Sequence, residues 1–145
     1  MTRFSGVFGI AVAMLLVCAP ARAADYEAQM DPAPFDASTR ADILGSIGQV
    51  SATLTGNILT VNGTFKDMTS PATAASIRIG LMKGVVGEAI GPLTVTRTVQ
   101  GSVSGSVQLT PAQIEALNRE AIYIRVDSEK APDGNLQGWL EAKRN

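Results

Sequence analysis

Short runs in which apolar and polar residues alternate recur along this chain, with turn residues between them. The last run is the plainest. Ile122, Ile124 and Val126 fall on one side, and Tyr123, Arg125 and Asp127 on the other. A period of two is what a strand with one buried face requires, because successive side chains point to opposite sides. Pro132-Asp133-Gly134 then supplies turn chemistry: a fixed φ, a side chain that bonds its own backbone, and a residue free to take positive φ. Asn135 to Glu141 reads as the return strand, with Leu136 and Leu140 facing one way through Gly138. The product is a β-hairpin with a long, charged loop.

The same pattern extends upstream. Tyr26, Ala28 and Met30 alternate with polar neighbours and predict a first strand over Asp25 to Met30, ended by Asp31-Pro-Ala-Pro34 because proline cannot donate to a ladder. Phe35 to Gly45 is open to two readings: a short helix capped by Ser38 or Thr39 and carrying Ile43 and Leu44, or a solvated crossover, which is preferred. Val50, Ala52 and Leu54, then Leu59, Val61 and Phe65, form the inward faces of a hairpin turning at Thr55-Gly56-Asn57. Gly63 lies on the same inward face, where it predicts a bulge or a close backbone approach. After Thr69-Ser70-Pro71, a strand is expected from Ala74 to Leu81, with Ala75, Ile77, Ile79 and Leu81 inward. A further strand is expected over roughly Pro92 to Thr98, and another after Gly101 with Val103, Val107 and Leu109 inward.

Only one strong helix start appears, at Thr110-Pro-Ala-Gln113. Thr110 can accept from the amide of Gln113 while Gln113 reaches back to the amide of Thr110, a capping box. Pro111 sits at the first helical position, where its missing N–H removes no bond. Ile114 and Leu117 share a face that must pack inward, since two turns of helix do not stand alone. Seven or eight short strands with one short helix before the last hairpin read as an all-β fold, a Greek-key β-sandwich or barrel.

The N-terminus has a different character. Arg3 precedes an almost wholly apolar run from Val7 to Ala19, and Ala21-Arg22-Ala23 places small residues where a signal peptidase reads them. The run is too short for a comfortable membrane span. Residues 1–23 are therefore expected to be a signal peptide cleaved after Ala23, leaving residues 24–145 as one β domain that is secreted or periplasmic. The competing reading is lipoprotein processing at Cys18, where Val17 is a poor residue for the preceding position. Cleavage would remove Arg3 and Arg22 and no acid, taking the basic residues from 12 to 10 against 13 acidic ones, a net charge of −3. That balance argues against nucleic acid as a partner.

Four stretches carry a resemblance. LTVNGTF (Leu59–Phe65), SPATA (Ser70–Ala74), GSVSGSVQLTPAQIEAL (Gly101–Leu117) and YIRVDSEKAPDGNLQGWL (Tyr123–Leu140) resemble the CHRD family, the domain repeated in chordin and found singly in many secreted bacterial proteins. The resemblance spans about residues 48–140 and implies an all-β extracytoplasmic domain of a family not known for catalysis. It departs at three positions. The family usually carries Ala-His-Ile-His where this chain has Ala75-Ser76-Ile77-Arg78, and another histidine where it has Asp127. Any metal binding or titration by those histidines does not carry over.

The chemistry open to the chain is narrow. It contains no histidine, and its single cysteine, Cys18, lies in the expected leader. Histidine catalysis is thereby excluded, as are cysteine nucleophiles in the cleaved form and zinc or copper sites built from His and Cys. No motif places a Ser–Lys pair. Asp127, Glu129 and Asp133 could approach calcium, but Pro132 stands where an EF-type loop needs glycine, and a solvated acidic loop is the simpler account. Gly101 and Gly105 do not open a helix, so they make no phosphate loop. No catalytic residue, cofactor or metal is expected.

What remains is a face. Alternation puts Ser76 and Arg78 opposite Ile77 and Ile79, Tyr123, Arg125 and Asp127 opposite Ile124, and Gln137 and Trp139 opposite Leu136 and Leu140. If these strands share a sheet, one outer surface gathers the residue types enriched where proteins bind partners. The plainer alternative has Trp139, the only tryptophan, covering a sandwich edge or packing beneath the loop at Glu129. An ion pair between Arg78 and Asp127 is expected to tie their strands together. The reading is a binding or structural module without a reaction of its own, its partner an unknown protein or cell-envelope component. The rival is a metal-handling protein whose histidines have been lost.

Overall fold

A computed structural model describes residues 22–144 of the 145. The leader and the Cys18 alternative fall almost wholly on residues 1–21, outside those described. Nine strands and two short helices run in the order β1 (Ala23–Pro32), α1 (Arg40–Ile43), β2 (Ile47–Thr55), β3 (Ile58–Lys66), β4 (Ala72–Ile79), β5 (Glu88–Val95), β6 (Gly101–Gln108), α2 (Pro111–Asn118), β7 (Ile122–Ser128), β8 (Leu136–Trp139) and β9 (Glu141–Ala142). Spatially the order is β2-β3-β6-β5-β4-β7-β8-β1, and β1 pairs again with β2, closing an eight-stranded antiparallel barrel. The fold is thus a barrel, not an open sandwich. β9 prolongs β8 along β1, pairing Glu27 with Glu141 and Tyr26 with Ala142.

The hairpin-connected strands β4, β5 and β6 have β3 beside β6 and β7 beside β4. These are two overlapping Greek keys. Closure removes the exposed edges on which other chains could pair. β1 makes this possible by serving two neighbours: Ala23–Met30 pair with β2, and Asp31 and Pro32 then pair with β8. The strand therefore runs through Pro32 and does not stop at Asp31.

The alternating apolar residues fill the barrel. Met30, Val50, Leu59, Val61, Ile77, Ile122, Ile124, Leu136 and Leu140 are fully buried, and Phe65 and Val103 nearly so. α2 closes one end with Leu117 and Ala116 buried and Ile114 partly buried. Its capping box forms as expected: Thr110 Oγ1 accepts from the Gln113 amide at 3.2 Å, and Gln113 Oε1 accepts from the Thr110 amide at 2.9 Å.

Four expectations are corrected. Phe35 to Gly45 is not an extended crossover but carries the one-turn helix α1, with Ile43 buried. Thr39 stands at its N-cap, as the helical alternative had it, but its side chain makes no capping bond, and the Asp36 carboxylate accepts from the Ser38 and Thr39 amides instead. Leu81 lies beyond the end of β4 and is 84% exposed. The strand placed at Pro92 to Thr98 runs instead from Glu88 to Val95. Pro92 is tolerated within it because β5 pairs with β4 through Leu93 and with β6 only at Thr94 and Val95, and the ladder is already irregular between Ile77 and Arg78. Gly63 makes no bulge, since register is continuous from Ile47↔Lys66 to Thr55↔Ile58. The close approach is real: a Cβ there would lie 2.6 Å from the Gln49 carbonyl oxygen and 2.7 Å from Val50 Cγ2.

Candidate functional site

Outward residues of β4, β7 and β8 lie side by side, and the register orders them in rows. Arg78 is opposite Tyr123, which is opposite Trp139; Ser76 is opposite Arg125, which is opposite Gln137. Asp127 is one step further along β7, opposite Ala74. All seven residues expected to share a face do share one.

The first row is built in depth. The Tyr123 and Trp139 rings stack with centroids 4.4 Å apart and a tilt of 35°. The loop from Gly80 to Gly87 folds over Tyr123, whose hydroxyl accepts from the Gly87 amide at 3.0 Å. Arg78 donates to the Gly87 carbonyl from Nε at 3.1 Å and Nη2 at 2.8 Å, and also reaches the Tyr123 hydroxyl at 3.2 Å. Tyr123 is consequently 0% exposed. It is the floor of the face and not a contact residue, a correction to the surface role that alternation implied. Alternation assigns a side of the sheet, and a loop can still cover that side.

The second row holds an ion pair. Arg125 Nε lies 2.7 Å from Asp127 Oδ1, and Nη2 donates to Oδ2 at 3.3 Å. The two side chains are 19% and 15% exposed. The shorter contact lies off the N–H axis, so Nε and Oδ1 gain charge attraction without an aligned hydrogen bond. Burial raises the Asp127 pKa, and Arg125 opposes that rise. The expected Arg78–Asp127 pair does not form. Arg78 is opposite Tyr123, four residues from Asp127 along β7, a backbone offset of about 13 Å, and its charge acts on Asp127 only as an attraction weaker than that of Arg125. Its guanidinium is taken up by the Gly87 carbonyl instead.

Beside Trp139 the surface sinks into a groove of about 540 Å³ between β1 and β8. Glu27, Gln29 and Asp31 line it from β1 and Gln137, Trp139 and Glu141 from the other bank, and Gln49 and Lys83 also line it. Lys83 pairs with Glu141 and with Glu120, which raises its pKa. Only Gln137 and Trp139 of this set were legible as site residues. The signal for three others was present in the sequence: Glu27, Gln29 and Asp31 alternate with Tyr26, Ala28 and Met30. What the sequence could not supply is the closure that brings β1 against β8. Among the described residues, no group of three or more His, Cys, Asp or Glu is placed to hold a metal ion.

These features define a class: closed Greek-key β-barrel domains with an ordered aromatic and ionic outer face. Residues 27–140 match the family model of the CHRD domain, and the chain belongs to that family. No curated protein and no solved structure matches it. The positions at which the resemblance set histidines aside, Ser76, Arg78 and Asp127, all lie on the outer face described above.

Proposed function

We propose that this CHRD domain is a non-catalytic binding module that works outside the cytoplasm, in the periplasm or beyond it, and meets a protein or cell-envelope partner with the outer face of β4, β7 and β8. One observation carries the reading. Trp139 is partly exposed yet stacked on the Tyr123 ring beneath it, while Arg78 and the Gly87 backbone fix Tyr123. An aromatic anchor whose rotamer is already set loses little entropy on binding, which is the property shared by residues that dominate interfaces. Arg125 and Asp127 supply a charged rim next to it.

Capture from cell-envelope extract with wild-type and Trp139→Ala baits tests the proposal. A component retained by the wild type and lost with the variant is expected; equal retention by both overturns it. The leader is tested by intact mass of the exported protein, which should begin at Ala24. A diacylated species beginning at Cys18 would replace the soluble form with an anchored one. Among the described residues no helix is long and apolar enough to cross a membrane. The His-free face should take up no stoichiometric zinc or copper, a point that elemental analysis of purified protein checks.

A further inference from the structure

The groove between β1 and β8 has a composition that the proposed partner-binding face does not explain. Register relates its two banks: Asp31 is opposite Gln137 and Glu27 is opposite Glu141, which sets Gln29 across from Trp139. No ladder pairs join the strands between those two points, and the groove opens in that interval. Gly138 forms part of its floor, and a Cβ there would lie 2.6 Å from the Gln29 carbonyl oxygen. The groove is thus an aromatic ring flanked by planar amides and carboxylates, on strands of a closed barrel.

We infer that this groove binds a neutral saccharide, with a pyranose ring laid against the indole of Trp139. This rests on the reading of Trp139 as a binding residue and names the ligand class. The axial C–H groups of a pyranose are apolar and weakly electropositive, and they match the negative π-face of an indole. Tyr123 packs against that indole from the β7 side, and Trp139 is among the residues that line the groove. Sugar hydroxyls both donate and accept. Gln29 and Gln137 also do both, whereas Glu27 and Asp31 accept only, so the two banks can satisfy several adjacent hydroxyls at once. The volume falls within the range of about 300–1,000 Å³ usual for small-molecule sites.

Charge narrows the ligand further. Three carboxylates, Glu27, Asp31 and Glu141, face one ammonium, Lys83, which is already paired. A net negative groove repels uronates, phosphates and nucleic acid, and leaves neutral hexose or N-acetylhexosamine oligomers as the class that fits.

Trp139 is the only tryptophan in the chain, so its emission reports on the groove alone. Titration of the full protein with neutral hexose and N-acetylhexosamine tetrasaccharides should shift or quench that emission saturably, and a tetragalacturonate of the same length should not. Gln29→Ala and Gln137→Ala should each weaken the effect by about tenfold or more in Kd. Thr60→Ala, on the outer surface of β3 away from the groove, should leave it unchanged. Absence of any response to the neutral oligomers overturns the inference, as does a response that both Gln variants retain in full. Trp139-dependent capture from envelope extract combined with no saccharide response would sink the saccharide and keep the binding module. Loss of both would sink the two together.

Discussion

At the scale of single residues, buried polar groups that escaped the periodic pattern tie the segment before β2 and the end of β7 to the turn before β8. Asn135 reads in sequence as the first residue of a strand, yet it is 0% exposed and lies in the turn before β8. Its Nδ2 donates to Ser46 Oγ at 2.9 Å and its Oδ1 accepts from Ser128 Oγ at 2.8 Å. Nothing in an alternation pattern marks such a residue, because its value depends on two serines 89 and 7 positions away. Asn135→Ala should cost about 1–3 kcal/mol, because the buried Ser128 hydroxyl loses its acceptor while Ser46 keeps the Ile43 carbonyl, measured by urea denaturation. Asp127 provides a prediction with a sign. Burial makes its charged form costly in the folded state, so its pKa lies above the usual carboxylate value in spite of Arg125. An acid with a raised folded pKa contributes most to stability below its unfolded pKa, and that contribution is lost as pH rises through the folded value. Carboxyl NMR should therefore find Asp127 raised, and raised further in Arg125→Met, where the opposing charge is gone. A value at or below the ordinary one would show that the ion pair outweighs burial.

At the scale of elements, legibility followed how local the determinants are. The α2 start was readable because the capping box lies within four residues. α1 was misjudged because Asp36, its organising carboxylate, lies outside the four-residue helix and resembles a loop residue. The end of α2 shows a conflict that the sequence alone does not reveal. Glu120 adopts φ 59°, with its amide bonded to the Leu117 carbonyl at 3.0 Å and the Ala121 amide to the Ala116 carbonyl at 2.9 Å. This is a Schellman termination with glutamate where glycine is usual. A left-handed non-glycine residue costs about 1–2 kcal/mol, while the exposed pair that Glu120 makes with Lys83 is worth only about 0–1 kcal/mol. Glu120→Gly should raise stability by several tenths of a kcal/mol to about 1 kcal/mol, after the greater freedom of glycine in the unfolded chain is deducted. A lowered thermal midpoint would mean that the Lys83 contact matters more than the backbone.

At the scale of the whole molecule, the strands and their inward faces were legible and their closure was not. Tyr26, Ala28 and Met30 identify β1 as a strand with one buried side, but the same pattern would serve an edge strand of an open sandwich. Which strand it joins depends on contacts with Gly48–Thr55 on one side and Leu136–Gln137 on the other, far apart in sequence. Such non-local pairing is set by the packing of the complete core and carries no local signature. It also makes β1 the strand on which the barrel depends, with Tyr26, Ala28 and Met30 all in the core cluster. Without it, β2 and β8 would each present an unpaired edge, and Val50, Ala52 and Leu136 would lose their cover. The expected cleavage after Ala23 spares this arrangement, removing only the Ala23↔Thr55 pair from the ladder. A chain beginning at Phe35 should therefore behave quite differently from one beginning at Ala24. The Ala24 form should unfold in a single cooperative transition. The Phe35 form should lose that transition, bind hydrophobic dye and associate through its opened edges. Adding a synthetic peptide of residues 24–34 in excess should restore the transition, since the missing strand re-pairs on both sides. A Phe35 form that still melts cooperatively as a monomer would show that the seven remaining barrel strands close without β1.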